Sequence, residues 1–135
     1  MGATENKQLM QHIFAEMAQG NSEPLVASMA DDFSWTVSGT TKWSKKYEGK
    51  RTVLTELFGP LRARIAGRIR TTAHRFIAEG DLVVVEARGN NLTKSGIPYN
   101  NSYCFVFRLE DHRLKEVTEY LDTTLVSTAL DEPES

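Results

Sequence analysis

Residues 99–123 read YNNSYCFVFRLEDHRLKEVTEYLDT, two apolar-rich runs parted by Glu110-Asp111-His112. Tyr99 to Leu109 and Leu114 to Asp122 are expected to be antiparallel strands joined by that turn. Along a strand successive side chains alternate, so Val117, Glu119 and Leu121 share one face while Glu116, Thr118, Tyr120 and Asp122 share the other. The first face is apolar except for one carboxylate. A carboxylate among apolar neighbours is costly without a partner, and such groups are candidate acids, bases or ligand anchors.

Upstream of this pair the pattern continues as strands. Arg68 to Ala78 reads as one, Gly80-Asp81 as a tight turn, and Leu82 to Leu92 as another, whose Val83-Val84-Val85 run suggests burial on both faces. Ser95-Gly96 turns the chain into Tyr99. The first half is mostly helical. Leu9, Met10, Ile13, Phe14 and Met17 recur at helical spacing between Glu5 and Gln19, with Gly20 where a helix ends. Ser22 is expected to cap a short helix with Pro24 in its first turn and Leu25, Val26 and Met29 on one side, closed by Asp31 and Asp32. Phe33 to Val37 is a short strand, and Ser38 to Gly49 a polar loop over a site. Lys50 to about Ile65 is again helical, with a kink or break at Gly59-Pro60. Helices followed by three hairpins define an α+β fold: a cone in which a curved, mostly antiparallel sheet wraps around about three helices.

Size and composition agree with one domain over residues 1–130, followed by an acidic frayed tail at 131–135. The chain has 135 residues, 40% of them apolar and 25% charged, and 18 acidic against 16 basic side chains leave a net charge of −2. That balance provides no field favouring nucleic acid or an anionic membrane. Cys104 is the single cysteine, which rules out an intrachain disulfide or a cysteine zinc cluster and fits a reducing compartment. With no secretory signal pattern and no run of roughly 18 apolar residues, a cytoplasmic location is expected.

The order of elements resembles the nuclear-transport-factor-2-like superfamily, in its SnoaL-like and ketosteroid-isomerase-like branch. The resemblance rests on Met29-Ala30-Asp31-Asp32-Phe33, Tyr47-Glu48-Gly49-Lys50, Glu79-Gly80-Asp81-Leu82-Val83-Val84, Tyr99-Asn100-Asn101-Ser102-Tyr103 and Glu119-Tyr120-Leu121-Asp122-Thr123. It implies a cavity between sheet and helices for a small, largely apolar molecule, and a homodimer built on the outer sheet face. Members isomerise steroids, cyclise polyketides, hydrolyse epoxides or do no chemistry, so the fold alone does not choose a reaction. Matched by position, Val37 and Phe105 stand where ketosteroid isomerases carry their two acids. Glu119 matches a carboxylate of limonene-epoxide hydrolases, whose arginine and second aspartate fall at Ala87 and Gly89.

Glu119 is therefore the leading catalytic candidate, with Tyr103 and Asn101 as hydrogen-bonding partners two residues apart on one strand side. Trp35, Val37, Trp43, Phe105, Val117 and Leu121 are candidate substrate contacts, Trp43 as a lid or dimer residue. His74 joins them if its strand aims it inward. The three histidines lack metal-ligand spacing, and no metal or cofactor is expected. Two basic clusters, Lys42 to Arg51 and Arg62 to Arg70, read as solvated faces or as a phosphate- or carboxylate-binding pocket rim. The expected activity is acid/base isomerase-, cyclase- or hydratase-like chemistry on a small apolar carbonyl-containing or cyclic metabolite. The alternatives are a non-catalytic ligand-binding module and a dimerisation module.

Overall fold

The computed structural model describes residues 2–130. The expected tail at 131–135 lies outside the described residues. Helices α1 (Ala3–Met17) and α2 (Glu23–Ser28) lead into β1 (Met29–Val37) and the short β2 (Lys46–Glu48). A continuous helical stretch follows, made of α3 (Lys50–Thr52), a π-helical segment (Val53–Phe58) and α4 (Gly59–Arg64). The meander is β3 (Thr71–Glu79), β4 (Leu82–Gly89), β5 (Ser102–Glu110) and β6 (Arg113–Leu121). The described chain closes with α5 (Thr123–Leu125) and a π-helical turn (Val126–Leu130).

The six strands form one sheet in the order β2-β1-β6-β5-β4-β3, antiparallel except for the β1–β6 pair. Asp111 and His112 close the β5–β6 hairpin with φ of 51° and 64°, the left-handed pair that matches the twist of the flanking strands. Register shifts in β1, β3 and at Arg108/Leu109 bend the sheet into the expected cone. Its concave face packs on the helices. Phe14 of α1 sits edge-on to Phe76 and Phe107 at 6.1 Å each and 5.7 Å from Phe105.

Strand pairing sets the interior in rows across the sheet. One row runs Val37, Glu119, Phe105, Val85, Phe76, and the next runs Trp35, Val117, Phe107, Val83, Ala78. Glu119 is the single acid in either row.

Several points differ from the sequence reading. Met29 to Asp32 begin β1 rather than ending α2, because Met29 and Ala30 bury in the sheet while Asp31 and Asp32 face solvent. Ser22 occupies the N-cap position of α2, but its hydroxyl accepts from Arg62 Nη2 at 3.2 Å and makes no capping bond. Gly59-Pro60 does not break the helix. Proline cannot donate to the carbonyl four residues back and crowds it, and the wider π turn ending at Phe58 leaves Pro60 in the first turn of α4, where no such donor is needed. Val83 and Val85 are fully buried, whereas Val84 lies half-buried on the outer face, so β4 is not enclosed on both sides.

Candidate functional site

A cavity of about 340 Å³ lies between the sheet and the helices. Its walls are mostly apolar: Met17 of α1, Leu25 of α2, Trp35, Phe105, and Leu57, Phe58 and Leu61 of the long helix. The π-helical segment supplies Leu57 and Phe58 to this wall. Polar atoms come from Tyr103, Thr71, Ser22, Arg62, Arg68 and Glu119. That size and balance suit one small, mainly apolar molecule held by a few polar groups.

Glu119 reaches the cavity because it is placed on the inner face of β6 by the register Val37–Glu119–Phe105. The residue is half-buried, and it forms part of the cavity wall. Trp35 stands opposite Val117, two residues from Glu119, so its indole lies diagonally across the strand pair. From there Trp35 Nε1–H donates to Glu119 Oε1 at 2.7 Å. Burial raises the carboxyl from the ordinary 4.5 to about 7, with the Trp35 hydrogen bond pulling the other way. An indole is neutral, so it orients the carboxyl without fixing its charge.

Tyr103 stands on the opposite diagonal, paired with Leu121, and its ring stacks on Phe105 at 5.1 Å. Burial, and after it the neighbouring Tyr99 phenol, push its hydroxyl well above the ordinary 10. Tyr99 is held up at about 12, also chiefly by burial. Both phenols are therefore proton donors throughout the physiological range. Tyr103 and Glu119, with Leu57 and Leu61, also line a second pocket of about 40 Å³ bounded by Val37, Trp43, Tyr99, Leu121, Val126 and Leu130.

Asn101 does not join Glu119 in the cavity. It is fully buried, and its Oδ1 accepts from Ser102 N at 2.7 Å and Asp122 N at 2.9 Å, while Nδ2 donates to the Asp122 carbonyl at 3.1 Å and the Tyr99 hydroxyl at 3.2 Å. Its hydrogen-bonding capacity is spent on tying the entry of β5 to the exit of β6. The strand starts at Ser102, not Tyr99, for the same reason. Asp122, in turn, caps α5 by accepting from Leu125 N at 3.2 Å.

His74 points outward. Simple alternation would align it with Phe76 and Ala78, but the register shift between Ala73 and Arg75 leaves it outside the pairing. His74 and Arg75 consequently both approach Glu86 Oε1, at 4.0 and 3.2 Å, on the exposed face. Val117 lies on the inner face but packs between its row neighbours Trp35 and Phe107 and lines neither cavity. Trp43, the expected lid or dimer residue, lies in the loop between β1 and β2. It is buried at 4% exposure beside the smaller cavity, its carbonyl accepting from Tyr47 Oη at 2.8 Å. Trp35 and Phe105 line the larger cavity, and Val37 and Leu121 the smaller one.

The sequence reading missed several lining groups. Leu57, Phe58 and Leu61 were visible as an apolar helical stripe, yet periodicity does not say that part of the stripe faces empty space. Tyr99 and the Val126–Leu130 turn carried no signal of their own. Among the described residues no group of three histidine, cysteine, aspartate or glutamate side chains is placed to hold a metal ion, and no helix is long and apolar enough to cross a membrane.

With this geometry in place, comparison with known proteins defines the class. The SnoaL-like domain family matches residues 10–117, and the chain belongs to that family. A comparison with curated proteins finds no match. Among solved structures, an NTF2-like protein from Burkholderia xenovorans is 22% identical and superposes with a TM-score of 0.73 over 96% of this chain and 98% of its own. One from Burkholderia thailandensis is 17% identical, with a TM-score of 0.79 over 93% and 96%. An LEH-like epoxide hydrolase from M. tuberculosis is 20% identical, with a TM-score of 0.72 over 95% and 90%. These likenesses establish the NTF2-like cone fold. The family match stops short of Glu119, so that residue's role rests on its own geometry.

Proposed function

We propose that this protein is an acid/base enzyme of the SnoaL-like type, acting on a small, largely apolar carbonyl-containing or cyclic metabolite with Glu119 as the proton-transferring group. The observation that carries the reading is a carboxyl on the wall of an apolar cavity, held there by the Trp35 indole and pushed up to about 7 by burial. At physiological pH both protonation states are populated, so the same group can take a proton from one ligand atom and return it to another. Trp35 holds Oε1, and among the described residues the carboxyl has no other hydrogen-bond partner, which leaves Oε2 for the ligand. Tyr103, protonated and on the same wall, is the donor suited to a carbonyl oxygen as it gains charge. This isomerase-, cyclase- or hydratase-like scheme calls for no cofactor.

A pure binding role is favoured by one observation: Val37 and Phe105 are apolar, so Glu119 works without a second carboxyl at those two positions. The two readings part on one experiment. Small cyclic ketones are incubated with the protein in D2O, and exchange of the protons beside the carbonyl is followed by NMR. An enzyme should catalyse exchange for at least one ketone and lose about 100-fold or more in Glu119→Gln. Exchange that is unchanged in the variant, or absent while ligands bind, favours the binding role. We further propose a cytoplasmic homodimer formed through the outer sheet face, where Ile77, Leu82 and Tyr120 are exposed.

A further inference from the structure

Three charged side chains line the large cavity: Glu119 within it, and Arg62 and Arg68, both exposed, at its rim. The two arginines come from different elements, Arg62 from α4 and Arg68 from the segment before β3, and they converge on one opening. Among the described residues neither has a carboxylate within ion-pair reach, although the chain is acidic overall. Their stems are held. The Arg62 guanidinium lies 5.6 Å from the centre of the Phe58 ring and donates to Ser22 Oγ. The Arg68 stem rests on Gly20, where φ is +84° and an added Cβ would come within 2.8 Å of Arg68 Cβ. One guanidinium held by Phe58 and Ser22, and a second on a stem packed at Gly20, both lining an apolar cavity, are a pattern suited to a planar anion.

We propose that the ligand is an amphipathic carboxylate, its apolar body in the cavity against Trp35 and Phe105 and its carboxylate at the rim between Arg62 and Arg68. This refines the reading of the cavity as the ligand site and is independent of whether Glu119 turns the ligand over. A carboxylate at the rim would also fix which carbon faces Glu119, since the chain between them acts as a spacer.

The test compares 1-naphthaleneacetate with 1-naphthaleneacetamide, equal in shape and different in charge, by calorimetry at near-neutral pH and low salt. Wild-type protein should bind the acid about tenfold or more tightly than the amide. In Arg62→Gln/Arg68→Gln that preference should fall to about one, and added salt should erode it in the wild type. Equal binding of acid and amide to the wild type overturns the carboxylate site while leaving the apolar cavity standing as a ligand site. Preference that survives in the double variant overturns the assignment to these arginines. Binding of neither probe overturns the amphipathic class. Proton exchange on ketones, read separately, reports on the acid/base reading of Glu119 and Tyr103 and not on the two arginines.

Discussion

Glu119 occupies a position where every neighbour in its row is hydrocarbon, and its pKa makes that placement a statement about stability. The folded carboxyl titrates at about 7 and the unfolded one near 4.5, so the folded state binds the proton more tightly. The contribution from this residue is therefore intact below about pH 4.5, declines as pH rises, and is fully lost above about 7. The displacement corresponds to roughly 3 kcal/mol at most. In the Glu119→Gln variant the amide keeps an acceptor for the Trp35 indole and carries no charge. The variant should be more stable than wild type above pH 7, with the gap closing below about pH 5 in urea titrations. A variant less stable at high pH would contradict the assignment. Trp35→Phe removes the donor that favours the ionised form, so the decline of stability should extend to higher pH than in wild type, as read from thermal unfolding across the range. Tyr103→Phe should weaken binding of ketone ligands more than it lowers the melting temperature; the reverse order would assign the phenol to packing alone.

At the level of elements, Asn101 and the β5–β6 turn make the sharper claims. Asn101→Ala would take the side-chain acceptor from the N–H groups of Ser102 and Asp122 and leave the Asp122 carbonyl with Val126 N alone, at a junction where Asn101 itself is fully buried. A loss of about 3 kcal/mol or more is expected by denaturant unfolding, against under about 1 kcal/mol for Tyr103→Phe. The turn holds Asp111 and His112 at positive φ, which non-glycine residues adopt reluctantly. Asp111→Asn with His112→Gly should stabilise the protein by about 1 kcal/mol. The β5–β6 hairpin and α1 were legible in the sequence because α1 keeps its period of 3.6 and β6 alternates from Val117 onward, past the register shift at Arg108/Leu109, and that alternation put Glu119 inside. His74 was misplaced because one bulge reverses every inference from alternation beyond it. The π-helical segment was hidden because helical spacing of Leu54, Leu57 and Leu61 looks the same in either helix. Spacing offers Asn101 as a ligand group, since its four partners are backbone and phenol atoms up to 21 residues away, which spacing does not reveal.

For the whole molecule, the cone leaves a cavity where a protein selected for stability alone would pack side chains, and its mouth carries positive charge against an acidic total. The fold was readable from element order, since helices followed by a meander have few ways to bury both apolar surfaces. The site was readable on its strand side, at Glu119, Tyr103, Trp35 and Phe105, whereas the convergence of Arg62 and Arg68 with the Gly20 turn on one opening was not, because these parts are distant in sequence. If the outer sheet face joins two copies, Tyr120→Arg should shift the protein from dimer to monomer in sedimentation at unchanged cavity binding; a wild-type monomer at all concentrations would remove that proposal. The decisive measurement is the titration of the Glu119 carboxyl carbon by NMR in the ligand-free protein, assigned by its loss in Glu119→Gln. A midpoint at about 7 is expected, and one near the ordinary 4.5 would mean that the carboxyl meets bulk water and that the cavity holds no neutral-range acid.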